Sequence, residues 1–194
     1  MEQNSPHSGK TVIFSAPSGA GKTTIVHHLL HRKLGLEFSI SATTRERRNI
    51  ERDGKDYHYM SVDQFKAAIE NEEFLEWEEV YTDQFYGTLS REIDRIWADG
   101  NHVIFDVDVE GGVSLKRHFG DKALAIFVMP PSIETLRERL NSRDTETKES
   151  IARRLGKAEE EMTYADKFDV VLLNDNLHEA INTADSMVRE FLES

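Results

Sequence analysis

The residues best equipped for chemistry stand together near the start of the chain: Ala16, Pro17, Ser18, Gly19, Ala20, Gly21, Lys22, Thr23 and Thr24. An apolar run, Thr11-Val12-Ile13-Phe14, precedes them, and an amphipathic run from Ile25 to Leu30 follows. A glycine-rich turn between a strand and a helix lets successive backbone N–H groups point at one anion. The helix N-terminus adds its own unpaired N–H groups and dipole. Lys22 supplies a mobile positive charge for the terminal phosphates of a nucleoside triphosphate, and Thr23 a hydroxyl for Mg²⁺. The pattern G-x-x-x-x-G-K-[ST] is met except at its first position, where Ala16 stands.

A second group is acidic. Asp106-Val107-Asp108 follows the apolar run Val103-Ile104-Phe105. Carboxylates at the C-terminal end of a buried strand lie where open α/β sheets bind ligands. Asp106 in that position orients metal-bound water; the alternative is a turn or helix N-cap ahead of Glu110-Gly111-Gly112. A third group is basic: Arg45, Arg47, Arg48 and Arg52 form one cluster, and Arg137, Arg139, Arg143, Arg153 and Arg154 another. The formal net charge is −12. Concentrated positive sites on an acidic chain suit small anionic ligands, and the charge disfavours nucleic acid.

These residues need a frame. Strands are expected at 11–15, 37–41, 102–108, 124–129 and 169–173, each short and nearly continuous in apolar residues, as in a parallel sheet covered on both faces. Helices are expected at about 22–33, 89–99, 110–118, 132–141, 150–164 and 177–192. The alternation predicts an α/β doubly wound parallel sheet, and the loop from Ala16 to Thr24 at the end of its first strand makes the expectation one of the P-loop NTPase type. Residues 42–90 break the rhythm and read as an inserted small α+β lobe, in which Ser61 and Gln64 form a capping box. The polar stretch from Asn141 to Glu149 reads as a lid. His27 and His31 sit four apart on the first helix, away from its apolar face and with no third ligand apparent, so they read as solvated.

With 194 residues, 38% of them hydrophobic, the chain is long enough for one domain with a core. No apolar run approaches the ~20 residues of a membrane helix. Met1 to Lys10 lacks the apolar core of a signal peptide, and the chain contains no cysteine. A cytoplasmic protein with no membrane or nucleic-acid partner is expected.

Several stretches together point to a family. Phe38-Ser39-Ile40-Ser41-Ala42-Thr43-Thr44-Arg45, Gly54-Lys55-Asp56-Tyr57, Glu73-Phe74-Leu75-Glu76-Trp77 and Phe85-Tyr86-Gly87-Thr88 closely resemble the GMP-binding lobe of guanylate kinases. So do Arg143 to Thr147, Ile151 to Leu155 and Val171 to Asp175. The resemblance runs from about residue 10 to 192 and covers the loop beginning Ala16-Pro17-Ser18-Gly19. It implies a single domain over 1–194, with a core of 10–41 and 91–194, a GMP-binding lobe of 42–90 and a lid at about 141–150. ATP would be held by Ala16 to Thr24 and Asn174. Ser41, Glu76 and Thr88 would read guanine, with Asp106 or Asp108 nearby. Arg45, Arg48, Tyr57 and Tyr86 would hold the GMP phosphate. Lys22, Arg45, Arg143 and Arg154 would act on the transferred group, with Thr23 on Mg²⁺ and Asp106 reaching it through water. The implied reaction is phosphorylation of GMP, and of dGMP, by ATP, carried out by a monomer or homodimer. The competing reading is a non-catalytic binding module of the same family; the intact Lys22, Thr23 and arginine clusters weigh against it.

The chain departs from the family in two places. Glu46-Arg47-Arg48-Asn49-Ile50-Glu51 stands where a Pro and a Gly are usual, and Ser142-Arg143-Asp144 stands where Gly-Arg-Gly is usual.

Overall fold

The computed structural model describes residues 9–141 and 148–194. Its strands are β1 (Thr11–Ser15), β2 (Leu36–Phe38), β3 (Ala42–Thr43), β4 (His58–Tyr59), β5 (Phe74–Tyr81), β6 (Gln84–Leu89), β7 (His102–Val107), β8 (Ala123–Met129) and β9 (Val170–Leu173). Its helices are α1 (Lys22–Leu30), α2 (Val62–Glu70), α3 (Ser90–Ala98), α4 (Val109–Phe119), α5 (Ile133–Asn141), α6 (Lys148–Met162) and α7 (Leu177–Glu193). One sheet has five strands in the order β2-β7-β1-β8-β9, with β8 parallel to both β1 and β9. This is the expected α/β class with a parallel sheet. By Cα proximity the chain falls into two compact units: Gly9 with Glu37–Val103, and Lys10–Leu36 with Ile104–Ser194.

In the second unit the apolar runs do what their composition dictates. Val12, Ile13 and Phe14 of β1 and Ala125 to Val128 of β8 are all fully buried. Helix α4 packs on β1 and β8, and α7 packs on α1 through Ala180, Ile181, Ala184 and Val188, the residues whose spacing predicted it. Leu136 and Leu140 of α5 close a separate cluster with Ile151, Leu155 and Ala158 of α6. Strand β9 differs from expectation. Leu172 is buried but Val171 and Leu173 are exposed, because β9 is the last strand of the sheet and one of its faces is left uncovered.

The first unit contains a four-stranded sheet in the order β4-β3-β6-β5. Strand β6 is antiparallel to β3 and β5, and β3 is parallel to β4. Phe65 of α2 stacks on Phe74 and Phe85, with ring centroids 4.3 and 5.3 Å away, and Ala42 and Leu89 complete this core. Gly87 is required where β5 crosses it: a Cβ there would stand 2.8 Å from the Glu76 carbonyl oxygen.

The capping box forms as expected. Ser61 Oγ accepts from the Gln64 backbone N–H at 3.1 Å, and Gln64 Oε1 accepts from the Ser61 N–H at 2.9 Å. Ser61→Ala should therefore destabilise the protein by about 1 kcal/mol with an unchanged denaturant slope. Urea unfolding followed by circular dichroism checks this; an unshifted midpoint would mean that the cap contributes nothing.

Most boundaries shift by one or two residues from the sequence expectation, and three of the differences have a visible cause. Strand β2 ends at Phe38 instead of 41, because Ser39 to Ser41 leave the ladder; the Ile40 N–H turns to the Glu92 carboxylate at 3.4 Å. Helix α1 ends at Leu30, because Arg32 to Leu34 tighten into turns and Gly35 takes φ +64°. Of residues 56–60 only His58–Tyr59 form a strand, and Tyr57 makes an isolated bridge to Asp53, since the Gly54 N–H to Tyr57 carbonyl and Asp56 N–H to Arg52 carbonyl bonds close a turn ahead of them. Among the described residues, no helix is long and apolar enough to cross a membrane.

Candidate functional site

Two groups of residues, one in each unit, carry the candidate chemistry. In the second unit, Ser15 ends β1 and Lys22 opens α1, so residues 16–21 form the loop between them. Gly21 is the N-cap of α1 at φ 94°, and no side chain caps the helix. Its first-turn N–H groups are thus left for an incoming anion. A Cβ at Gly21 would lie 2.4 Å from Asn174 Nδ2. The left-handed φ and that close approach both demand glycine.

Asn174 holds the loop in place. It is 2% exposed, and its Nδ2 donates to the Ala20 carbonyl at 2.6 Å. Its Oδ1 is buried without a hydrogen-bond partner among the described residues. Arg139, on α5, donates to the Asn174 carbonyl at 2.9 Å and to the Ala20 carbonyl at 3.5 Å. Arg139 is a site residue to which the sequence reading assigned no role. Membership of the second arginine cluster was its only signal.

Lys22 forms an ion pair with Asp106, the two side chains being 16% and 10% exposed. Burial lowers the Lys22 ammonium to about 8, against the pull of Asp108 and Glu161. Glu161 on α6 is raised, first by burial. Asp108 is the N-cap of α4, accepting from the Gly111 N–H at 2.7 Å, while its carbonyl accepts from Ser15 Oγ at 2.9 Å. The two aspartates therefore differ in situation: Asp106 meets the lysine, and Asp108 starts a helix. Thr23 and Thr24 are exposed on the first turn of α1, and Arg154 is half-buried on α6. Arg143 lies outside the described residues.

In the first unit, strand register makes a pair. Glu76 of β5 and Thr88 of β6 are directly opposite, and Thr88 Oγ1 donates to Glu76 Oε1 at 2.6 Å. Thr88 is fully buried. Ser41 is half-buried just before β3, its carbonyl accepting from the His58 N–H at 2.9 Å.

Arg45, Tyr57 and Tyr86 come together in the same unit. The Arg45 guanidinium lies 5.3 Å from the Tyr57 ring centroid, and the rings of Tyr57 and Tyr86 meet edge to face at 6.0 Å. Burial raises the Tyr57 phenol, with Tyr86 adding to the rise. The Arg48 side chain is exposed. Two further residues join this cluster, Glu51 and Tyr59. Glu51 Oε1 accepts from Arg45 at 2.8 Å, and its Oε2 from the Tyr59 hydroxyl at 2.7 Å. The sequence reading gave neither a role: Glu51 entered only as the end of the stretch that departs from the family pattern, and Tyr59 only as part of an expected strand.

Chemically, the loop in the second unit can bind a polyphosphate. The first unit offers a guanidinium and two phenols for a phosphate monoester, and a carboxylate fixed by a hydroxyl for neighbouring N–H donors. Among the described residues no cluster of three His, Cys, Asp or Glu could hold a metal by itself, and His27 and His31 are exposed.

Comparison with known proteins shows the family. The model of the guanylate kinase family matches residues 8–191. The chain is 51% identical over 183 residues to a guanylate kinase of Bacteroides fragilis, covering 94% of this chain and 90% of that one. It is 48% identical over 184 residues to a guanylate kinase of Porphyromonas gingivalis, covering 94% and 98%. The crystal structure of guanylate kinase from Anaplasma phagocytophilum aligns with a TM-score of 0.77 at 26% identity, over 97% of this chain and 88% of that one. Matched along nearly its whole length, this chain is a kinase of the guanylate kinase family.

Proposed function

We propose that this kinase transfers the terminal phosphoryl group of ATP to GMP, and to dGMP, yielding ADP and the nucleoside diphosphate. The observation that carries the reading is the Glu76–Thr88 pair in the same unit as Arg45, Tyr57 and Tyr86. Guanine presents N1–H and N2–H donors side by side and an O6 acceptor. A carboxylate suits the two donors. Thr88 uses its one O–H as the hydrogen-bond donor to Glu76, so its oxygen is left to accept, and the Ser41 hydroxyl can donate to O6. Adenine lacks the N2 amino group and carries an amino group where guanine has O6, so it would leave these groups unpaired. The loop from Ala16 to Thr24 and Lys22 suit ATP, and the acidic net charge suits small nucleotides over nucleic acid.

The residues present fit magnesium. The donors at hand are hard oxygens, the Thr23 hydroxyl and the Asp106 carboxylate, and Mg²⁺ binds through one or two such groups together with substrate phosphates. When bound, it neutralises charge on the phosphate oxygens. No general base is required, because the acceptor oxygen of a nucleoside monophosphate is already anionic. The protein's own part is positioning and charge: Lys22 at the donor phosphates, and Arg45 and Arg48 at the acceptor. Incubation with ATP, GMP and magnesium chloride, followed by chromatography, should yield ADP and GDP in equal amounts. ATP left intact under those conditions would contradict the reading.

The lowered Lys22 ammonium gives a pH signature. Below about 8 it is charged in the free protein, and above it the charge is lost. The kcat/KM for ATP, which reports the free enzyme, should fall as pH rises through about 8. The kcat at saturation should hold to higher pH, since bound phosphates favour the ammonium. Steady-state profiles between roughly pH 6 and 10 test this, spanning the free and the model lysine values. A kcat/KM level across that range would refute the assignment.

A further inference from the structure

We infer that Glu51 is the positioning residue of the acceptor-phosphate site, holding Arg45 and the loop that follows it in the arrangement that receives the phosphate. The inference rests on the guanylate kinase reading above. Three donors converge on this one carboxylate. Arg45 Nη2 reaches Oε1 at 2.8 Å, and the Arg48 backbone N–H and the Tyr59 hydroxyl reach Oε2 at 2.8 and 2.7 Å. The Glu51 N–H in turn donates to the Arg48 carbonyl at 3.0 Å. The turn 48–51 is thereby closed by both backbone and side chain.

No apolar contact substitutes for this staple. Residues 46–50 are all exposed, and Ile50 is 90% exposed. Burying nothing, the segment takes its shape from hydrogen bonds, and most of those end on Glu51. Tyr59, held by Glu51, lies edge to face against Tyr57 at 5.9 Å. One carboxylate thus braces an arginine, a backbone segment and, through Tyr59, a phenol of the same cluster.

Glu51 could instead be a stand-in anion that an incoming phosphate displaces. The geometry argues against it. Swinging the carboxylate away would strand the Arg48 N–H and the Tyr59 hydroxyl together. Nor does phosphate binding require the displacement: a guanidinium has five N–H groups, and the bonds to the Glu46 carbonyl and to Glu51 use two. The bonds from Arg45 and from the Arg48 N–H hold the Glu51 carboxyl down at about 2, so the brace stays charged at neutral pH. The two roles predict opposite signs. Loss of a brace weakens phosphate binding; loss of a competitor strengthens it.

The test is Glu51→Gln, read by titration calorimetry with GMP and, in competition with GMP, with guanosine, which lacks the phosphate. The glutamine keeps the shape but turns an NH₂ group toward one set of donors. Affinity for GMP should fall about tenfold while that for guanosine is unchanged. Steady-state kinetics should show the same fall in kcat/KM for GMP and an unaltered KM for ATP. Unchanged or tighter GMP binding overturns the inference, as does an equal loss for guanosine, which would make Glu51 merely structural. Should Glu51→Gln not fold, Tyr59→Phe removes one of the three bonds, and should weaken GMP about threefold and guanosine not at all; an unchanged GMP affinity there overturns the inference. Wild-type protein that binds GMP without phosphorylating it would overturn the catalytic reading alone; wild-type protein that binds no GMP overturns both.

Discussion

Lys22→Ala should leave the protein folded and lower kcat on the order of 10²-fold or more. The loop does not depend on the lysine for its shape. Asn174 and Arg139 hold the Ala20 carbonyl, and Gly21 supplies the left-handed turn. Removing the lysine strands Asp106, but that side chain is 10% exposed and can take water or a proton in its place. On the proposed function, what is lost is the charge that meets the transferred group and its bridging oxygen, an interaction strongest in the transition state. The far-ultraviolet dichroism and thermal midpoint should stay near those of the wild type while turnover collapses. A folded Lys22→Ala protein with near-normal kcat would remove this loop from the phosphoryl-transfer step.

Glu76→Gln should damage use of GMP selectively. The glutamine keeps the length and the β5 register but replaces one oxygen by an NH₂ group. Thr88 Oγ1 now donates to Oε1 at 2.6 Å. If the amide oxygen keeps that bond, the NH₂ faces the guanine donors; if it flips, it faces Thr88. Either way one buried polar group goes unpaired, at a cost of about 1–3 kcal/mol, or between fivefold and a hundredfold in kcat/KM for GMP. The base is remote from the transferred group, so KM for GMP should carry most of the effect, and KM for ATP little. Kinetics with each nucleotide varied in turn decide it. An unchanged kcat/KM for GMP would dismiss Glu76 and turn attention to Asp106 and Asp108 as guanine carboxylates.

Much of the second unit was legible in the sequence because its determinants are local. The run 11–15, the glycines, Lys22 and the amphipathic start of α1 lie within twenty residues, and each is restricted by backbone geometry as well as chemistry. Ser61 and Gln64 were legible for the same reason: a capping box is a four-residue pattern. The hidden parts act over distance. Arg139 serves the loop through Asn174, 35 residues further on, and Glu51 serves Arg45 from inside an exposed loop with neither periodicity nor apolar signal. Asp106 and Asp108 were read as a pair from one strand end. The structure separates them by local geometry, since the residue that ends at a helix start becomes its cap. Strand β2 was read too long because Ser39 to Ser41 are compatible with a strand, and only the buried Glu92, more than fifty residues away, draws the Ile40 N–H out of the ladder.

The central claim, an ATP-dependent kinase whose acceptor is chosen by its guanine, is tested most directly by one acceptor series. ADP formation is followed by a coupled assay with GMP, dGMP, AMP, CMP and UMP, each with ATP and magnesium in excess. The account predicts turnover with GMP and dGMP, and a kcat/KM for AMP lower by at least about 10³, as expected where a site built of hydrogen-bonding groups meets a base that cannot pair with them. Comparable kcat/KM values for AMP and GMP would contradict it.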